Sequence, residues 1–262
     1  MKARLPLLFA LVALSHAASA VVVNIDFNTA TSATFSGQAA APDTAGNNYW
    51  NSLQNVTGTA ANATPLRDSS NTSNTTISIN ITGIDGSINN TSANAEQEVT
   101  SGHSSLMRDY IRVDSGSSTL VKTSTGTISG LVPSANYEIY LYGQGEFFTG
   151  GTANNQRGQN TLFDIGGVKK QTSWDTVAGG NGSLVEDIEY VKYVVTASAG
   201  GEIAFSWSNV VPGVNVVTDN AASPVGGGSR FAALNGIQIR SVPVPDPAAA
   251  LLGGLGLLGI LV

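Results

Sequence analysis

The chain has 262 residues, no cysteine, only 11% charged residues and a formal charge of −6. Without thiols there are no disulfides, no thiolate catalysis and no cysteine-ligated zinc or iron–sulfur sites. An acidic body with scattered Lys and Arg has no electrostatic footprint for nucleic acid. Ser, Thr, Asn and Gly are abundant, and they make solvated strand faces and turns without charge, which suits an extracellular β-sandwich better than a cytosolic enzyme.

Residues 1–20, MKARLPLLFALVALSHAASA, set Lys2 and Arg4 before an apolar run from Leu5 to Leu14 and end on Ala18-Ser19-Ala20. That order of charge, apolar core and small-residue cleavage site is expected of a secretory signal peptide cut after Ala20. Its removal leaves 10 basic residues against 18 acidic ones, a net of −8.

Residues 21–241 are expected to form a single all-β domain. Apolar residues recur with period two and are broken every 8 to 12 residues by Gly, Asn, Asp or Pro. Val21 to Phe27 opens as a strand, Thr76 to Ile84 alternates cleanly, and so does Tyr110 to Val113. Residues 55–75, rich in Asn, Thr, Ser and Ala, read as a long exposed loop. Only Ser104 to Tyr110 suggests a helical turn. Tyr190 to Val195 and Glu202 to Trp207 read as a hairpin closed over Ala199-Gly200-Gly201, and Phe231 to Arg240 as the last strand.

Between Thr127 and Gly143 a strand, a Leu131-Val132-Pro133 turn and Tyr137 opening the next strand have the layout of a tyrosine corner. Strand alternation then sends residues 137, 139 and 141 to the core and Tyr140 and Tyr142 to the opposite face, expected to be solvent or a ligand groove.

The last residues, SVPVPDPAAALLGGLGLLGILV, place Pro243, Pro245 and Pro247 ahead of an apolar, Gly-rich stretch from Ala248 to Val262. That stretch is short of the about 20 residues that span a bilayer and has no polar face to make a soluble helix. The segment resembles the PEP-CTERM sorting tail of Gram-negative bacteria that make exopolysaccharide. It departs from that pattern in having Asp246 where the family has Glu, and in lacking the terminal basic cluster. The resemblance implies export, transient inner-membrane anchoring, cleavage by a sorting protease of the inner membrane, and release to the cell surface or matrix. Pro243, Pro245, Asp246 and Pro247 would form the sorting signal.

The body is similar to the jelly-roll, galactose-binding-like and carbohydrate-binding modules of exported proteins. The likeness rests on an Asp-bearing first strand, the Trp50-Asn51 pair, the Gly130-Leu131-Val132-Pro133 corner with Tyr137, and the closing Asn235-Gly236-Ile237-Gln238-Ile239. It implies a jelly-roll sandwich that binds polysaccharide or sits in an exopolysaccharide matrix.

Sugar binding needs aromatic planes and amides or acids for hydroxyls. Trp50, Trp174, Phe147 and Tyr142 are the candidate contacts, with Trp207 assigned to the core beside Phe205. His103 is the only imidazole beyond the signal peptide and lacks a nucleophile elbow, so no Ser-His-Asp site is expected. Asp109, Glu138, Glu146, Asp164 and Asp175 are scattered acids, and no catalytic residue is assigned from them. No organic cofactor is implied. Calcium needs only oxygen ligands, and Asp26 and Asn235, in the first and last strands, are its candidate ligands. A non-catalytic carbohydrate-binding or matrix protein is the first expectation. The alternatives are a glycoside hydrolase or lyase with paired carboxylates and a self-associating surface protein.

Overall fold

Where apolar and polar residues alternate, an extended chain buries one face and solvates the other, and this pattern sets most of the elements. The computed structural model describes residues 20–29, 33–43, 48–54, 56–57, 60–63, 65–89, 103–145, 160–173, 183–217 and 229–243. Among them lie fifteen strands and one helical turn, α1 (Ser104–Met107), in a body spanning Val21–Ser241. No helix among the described residues is long and apolar enough to cross a membrane.

One sheet has five strands in the order β12 (Tyr190–Thr196), β9 (Asn136–Tyr142), β15 (Gly236–Ser241), β1 (Val22–Asp26) and β2 (Asn51–Ser52). A second has seven: β11 (Val168–Gln171), β10 (Thr161–Ile165), β13 (Ile203–Asn209), β8 (Thr123–Ser129), β5 (Ser78–Thr82), β4 (Ala60–Ala63) and β3 (Val56–Thr57). A third joins β14 (Phe231–Leu234), β7 (Asp109–Asp114) and β6 (Gly86–Asn89). Pairing is antiparallel except between β1 and β2, where Ile25 lies opposite Asn51.

The two larger sheets share one core. Val23, Ile25, Ile139, Leu141, Ile237 and Ile239 come from the first; Ile79, Ile81, Ile128, Phe163, Phe205 and Trp207 come from the second. Each such side chain contributes about 1.5–3 kcal/mol of burial, which is how a chain without disulfides holds this all-β, sandwich-like fold. The assignment of Trp207 and Phe205 to the interior holds.

The corner forms as read. The Val132 amide donates to the Tyr137 hydroxyl at 2.9 Å. Gly130 just before it has φ +76°, and a Cβ there would meet the Thr76 carbonyl oxygen at 1.9 Å, so only glycine fits the approach.

Three readings are corrected. β12 and β13 are not a hairpin: β12 pairs with β9 and β13 with β8 and β10, so the turn at residues 198–201 carries the chain from one sheet to the other. Both strands bury a face in the same core, so alternation around a glycine turn looks the same for an arch as for a hairpin. The closing stretch is two strands, broken at Asn235, with β14 in the small sheet and β15 in the five-stranded one. Residues 55–75 are not wholly loop, because β4 pairs with β5 from Ala60 opposite Thr82 to Ala63 opposite Ile79, and Ala61 is buried. A ladder supplies its own hydrogen bonds, so a strand beside an ordered partner forms from weakly apolar residues.

Candidate functional site

Tyr140 and Tyr142 do leave the core face of β9, but they do not reach solvent. Phe35, Ala41, Trp50, Leu106 and Met107 cover them in a second apolar cluster. Phe35 stands edge-on to Trp50 with ring centroids 5.1 Å apart, and Trp50 to Tyr142 at 6.3 Å. Trp50 is 2% exposed and donates its indole N–H to the Gly37 carbonyl at 3.0 Å. Tyr142 is fully buried, accepts from the Ala40 amide at 2.8 Å and donates to Gln238. Burial pushes its phenol well above the usual range. The sugar-stacking role expected of Trp50 and Tyr142 does not fit this geometry, because both ring faces are occupied by protein. His103 belongs to the same cover: its ring lies 5.7 Å from that of Phe35, and its Nε2 is 3.0 Å from the Gln38 carbonyl.

The candidate calcium ligands divide. Asp26 is fully buried at the end of β1, with one carboxylate oxygen accepting from the Phe35 amide at 2.7 Å and from Asn28 at 3.1 Å. Its other oxygen, Oδ1, has no hydrogen-bond partner among the described residues. Burial pushes its pKa up to about 8; the Phe35 amide opposes the shift and the nearby Asp109 adds to it. Oδ1 is therefore the oxygen on which the proton can sit, and it becomes a cation donor only where that proton is lost. Asn235 offers no such oxygen, because its amide is engaged as a clamp: the carbonyl accepts from the Gln144 amide at 2.8 Å, and the nitrogen donates to the carbonyls of Met107 and Asp109. Those bonds explain the break between β14 and β15. Calcium takes six to eight oxygens, and no group of three or more His, Cys, Asp or Glu suited to a metal occurs among the described residues.

An open groove lies beside the covered cluster. It holds about 310 Å³ and is lined by Tyr49, Asn51, Ser52, Leu53, Gln54, Asn62, Ala63, Pro65 and Leu66, at the lower end of the about 300–1,000 Å³ of small-ligand sites. Leu53 and Leu66 are buried, Tyr49 is half-buried, and Ser52, Gln54, Asn62 and Pro65 are exposed. β2 and β4 bring these groups together, so the groove runs where the margin of one sheet meets that of the other.

The Tyr49 ring is carried on a fixed backbone. Its N–H donates to the Ser69 carbonyl at 3.0 Å, and its carbonyl accepts from the Asn24 amide at 2.9 Å. Asn51 pins the facing segment, donating to the carbonyls of Asn24 and Arg67 and accepting from the Arg67 amide. Among the described residues, the Tyr49 phenol and the amides of Gln54 and Asn62 take part in no hydrogen bond. An aromatic flank with uncommitted amides is the chemistry that stacks on a sugar ring and bonds its hydroxyls. The sequence singles out the neighbouring Trp50 for this purpose. Alternation assigns neighbours to opposite sides, and Tyr49 is the open one.

The scattered acids do not form a facing pair in that groove. Asp109 is buried, Asp164 accepts from the Gly167 amide at 2.8 Å, and Glu138 is held between Lys192 at 2.7 Å and Arg240 at 2.8 Å. Those two cations hold the Glu138 carboxyl below its usual value against the opposing effect of burial. A second groove, by Ile165, Val168, Lys170, Glu186 and residues 192–195, is apolar, and its Lys170 and Glu186 are paired at 3.3 Å. Trp174, Phe147, Pro245, Asp246 and Pro247 lie outside the described residues, as do Glu146 and Asp175. Pro243 is exposed just beyond β15. Neither a family model nor a curated protein matches the chain.

Proposed function

We propose that this chain is an exported, envelope- or matrix-associated protein whose jelly-roll-like β domain binds carbohydrate without catalysing its turnover. The observation that carries this reading is the composition of the groove: a half-buried tyrosine, two amides without a hydrogen bond among the described residues, and no carboxylate among its nine described lining residues. Sugar recognition uses such groups, whereas glycoside cleavage needs two carboxyls flanking the bond, about 5 to 10 Å apart. The N-terminal charge-and-apolar pattern and the Pro-rich, apolar tail support delivery through the inner membrane, with the sorting protease and the exopolysaccharide matrix as partners. Calcium enters as a structural ion only, with Asp26 Oδ1 as its candidate donor once the carboxyl has lost its proton.

The test pairs retention with product analysis. The purified protein is run through gels containing polysaccharides, and the same mixtures are assayed for new reducing ends and for unsaturated products. Retarded migration with no product is expected. Product formation abolished by a single Asp→Asn or Glu→Gln change would overturn the non-catalytic reading.

A further inference from the structure

The same groove specifies the electrical character of its ligand, an inference that rests on the carbohydrate reading above. None of its nine lining residues is Asp, Glu, Lys, Arg or His, in a chain that carries 18 acidic and 12 basic residues. The nearest basic side chain in sequence, Arg67, is turned to Asn71, with its guanidinium donating to the Asn71 amide oxygen at 2.8 Å. A carboxylated or sulfated sugar entering the groove would shed water from its charge and meet no cation among the described lining residues, a cost that a neutral ring does not carry. It would also approach a body of net negative charge, which repels polyanions at long range. A neutral ring meets neither obstacle. Its hydroxyls find donors and acceptors in the Gln54 and Asn62 amides, and its C–H face can lie against Tyr49.

We infer that the groove formed by Tyr49, Gln54 and Asn62 takes an uncharged polysaccharide and discriminates against acidic ones. The opening between two sheet margins suits a chain passing through it. Tyr49 acts as the platform, its backbone held by Ser69 and Asn24, so the site needs little ordering on binding.

The experiment measures affinity of the full chain for dextran, galactomannan and xyloglucan on one side and for alginate and polygalacturonate on the other, at 50 and 500 mM NaCl. Expected are binding to at least one neutral polymer, at least tenfold weaker retention by both acidic ones, and less than a twofold change with salt. Tyr49→Ala should weaken neutral-polymer binding at least tenfold and Gln54→Ala or Asn62→Ala severalfold, each with an unchanged melting curve. Retention by the acidic polymers alone, or a loss of neutral binding in high salt, would sink the neutral-ligand inference while leaving carbohydrate binding intact. Neutral binding untouched by all three substitutions would sink the assignment to this groove. Failure to bind either group would take down the carbohydrate reading itself.

Discussion

Tyr49 and Trp50 are neighbours in sequence and opposite in circumstance. Trp50 lies under Phe35 against Tyr142, its indole hydrogen-bonded and both faces covered. Tyr49 is half-buried and lines an open groove, with no hydrogen bond to its hydroxyl among the described residues. The larger aromatic is the obvious stacking platform by chemistry alone, yet it is the one used to attach a covering segment to the outer face of a sheet. Size favours burial, because the apolar area removed from water grows with the ring, while a smaller ring with a polar tip sits comfortably at the boundary.

That contrast can be broken most severely at Trp50. Trp50→Ala is expected to cost about 3–5 kcal/mol, read as a lowered urea midpoint, and to loosen the Phe35 segment. A variant of wild-type stability with weakened sugar binding would reverse the roles assigned to the two rings.

Asp26 tests the anchor of the same cover, since its carboxyl oxygen Oδ2 accepts from the Phe35 amide. The folded state keeps the proton up to about pH 8, while the unfolded chain releases it near the ordinary value of 3.8. The stability this confers is therefore full below about pH 4 and is lost as pH rises toward 8, by about 1.4 kcal/mol per pH unit across the window. Urea midpoints from pH 5 to 8 should fall in the native protein and flatten in Asp26→Asn. Equal slopes in the two proteins would mean the group is ionised when folded.

Tyr142→Phe removes the acceptor of the Ala40 amide and a donor to Gln238, an expected loss of about 1–2 kcal/mol with sugar binding unchanged. Tyr49→Ala should shift stability least, within about 0.5 kcal/mol, because Tyr49 lies outside both buried clusters. A large destabilisation there would place Tyr49 among the structural residues and remove it from the site.

The β class, the tyrosine corner and the core faces of β9 and β13 were legible because alternation reports burial directly. Which sheet a strand joins was not. The turn at residues 198–201 and the break at Asn235 both redirect the chain between sheets, and neither changes the pattern of apolar residues around it. The site was half legible: the segment around Trp50 was recognised from its aromatic and amide content, but whether a face is solvated or covered depends on the remote residues Phe35, Leu106 and Met107. Residue type alone makes Asn235 a candidate ion ligand. Its bonds to Met107, Asp109 and Gln144 join positions about 90 to 130 residues away, which no local spacing encodes.

The first strand of the body lies between β15 and β2, with Val22 opposite Arg240 and Asp26 opposite Gly236. Of the two neighbours paired with β1, β15 is thus the last strand to be synthesised. While the chain emerges in order, β1 can meet only the two-residue β2, and the hairpins between them and β15 can form first. Closure of this sheet joins residues more than 200 positions apart, a late and slow event in the assembly of such a topology. Until it happens, a short apolar strand remains open to pairing with other chains.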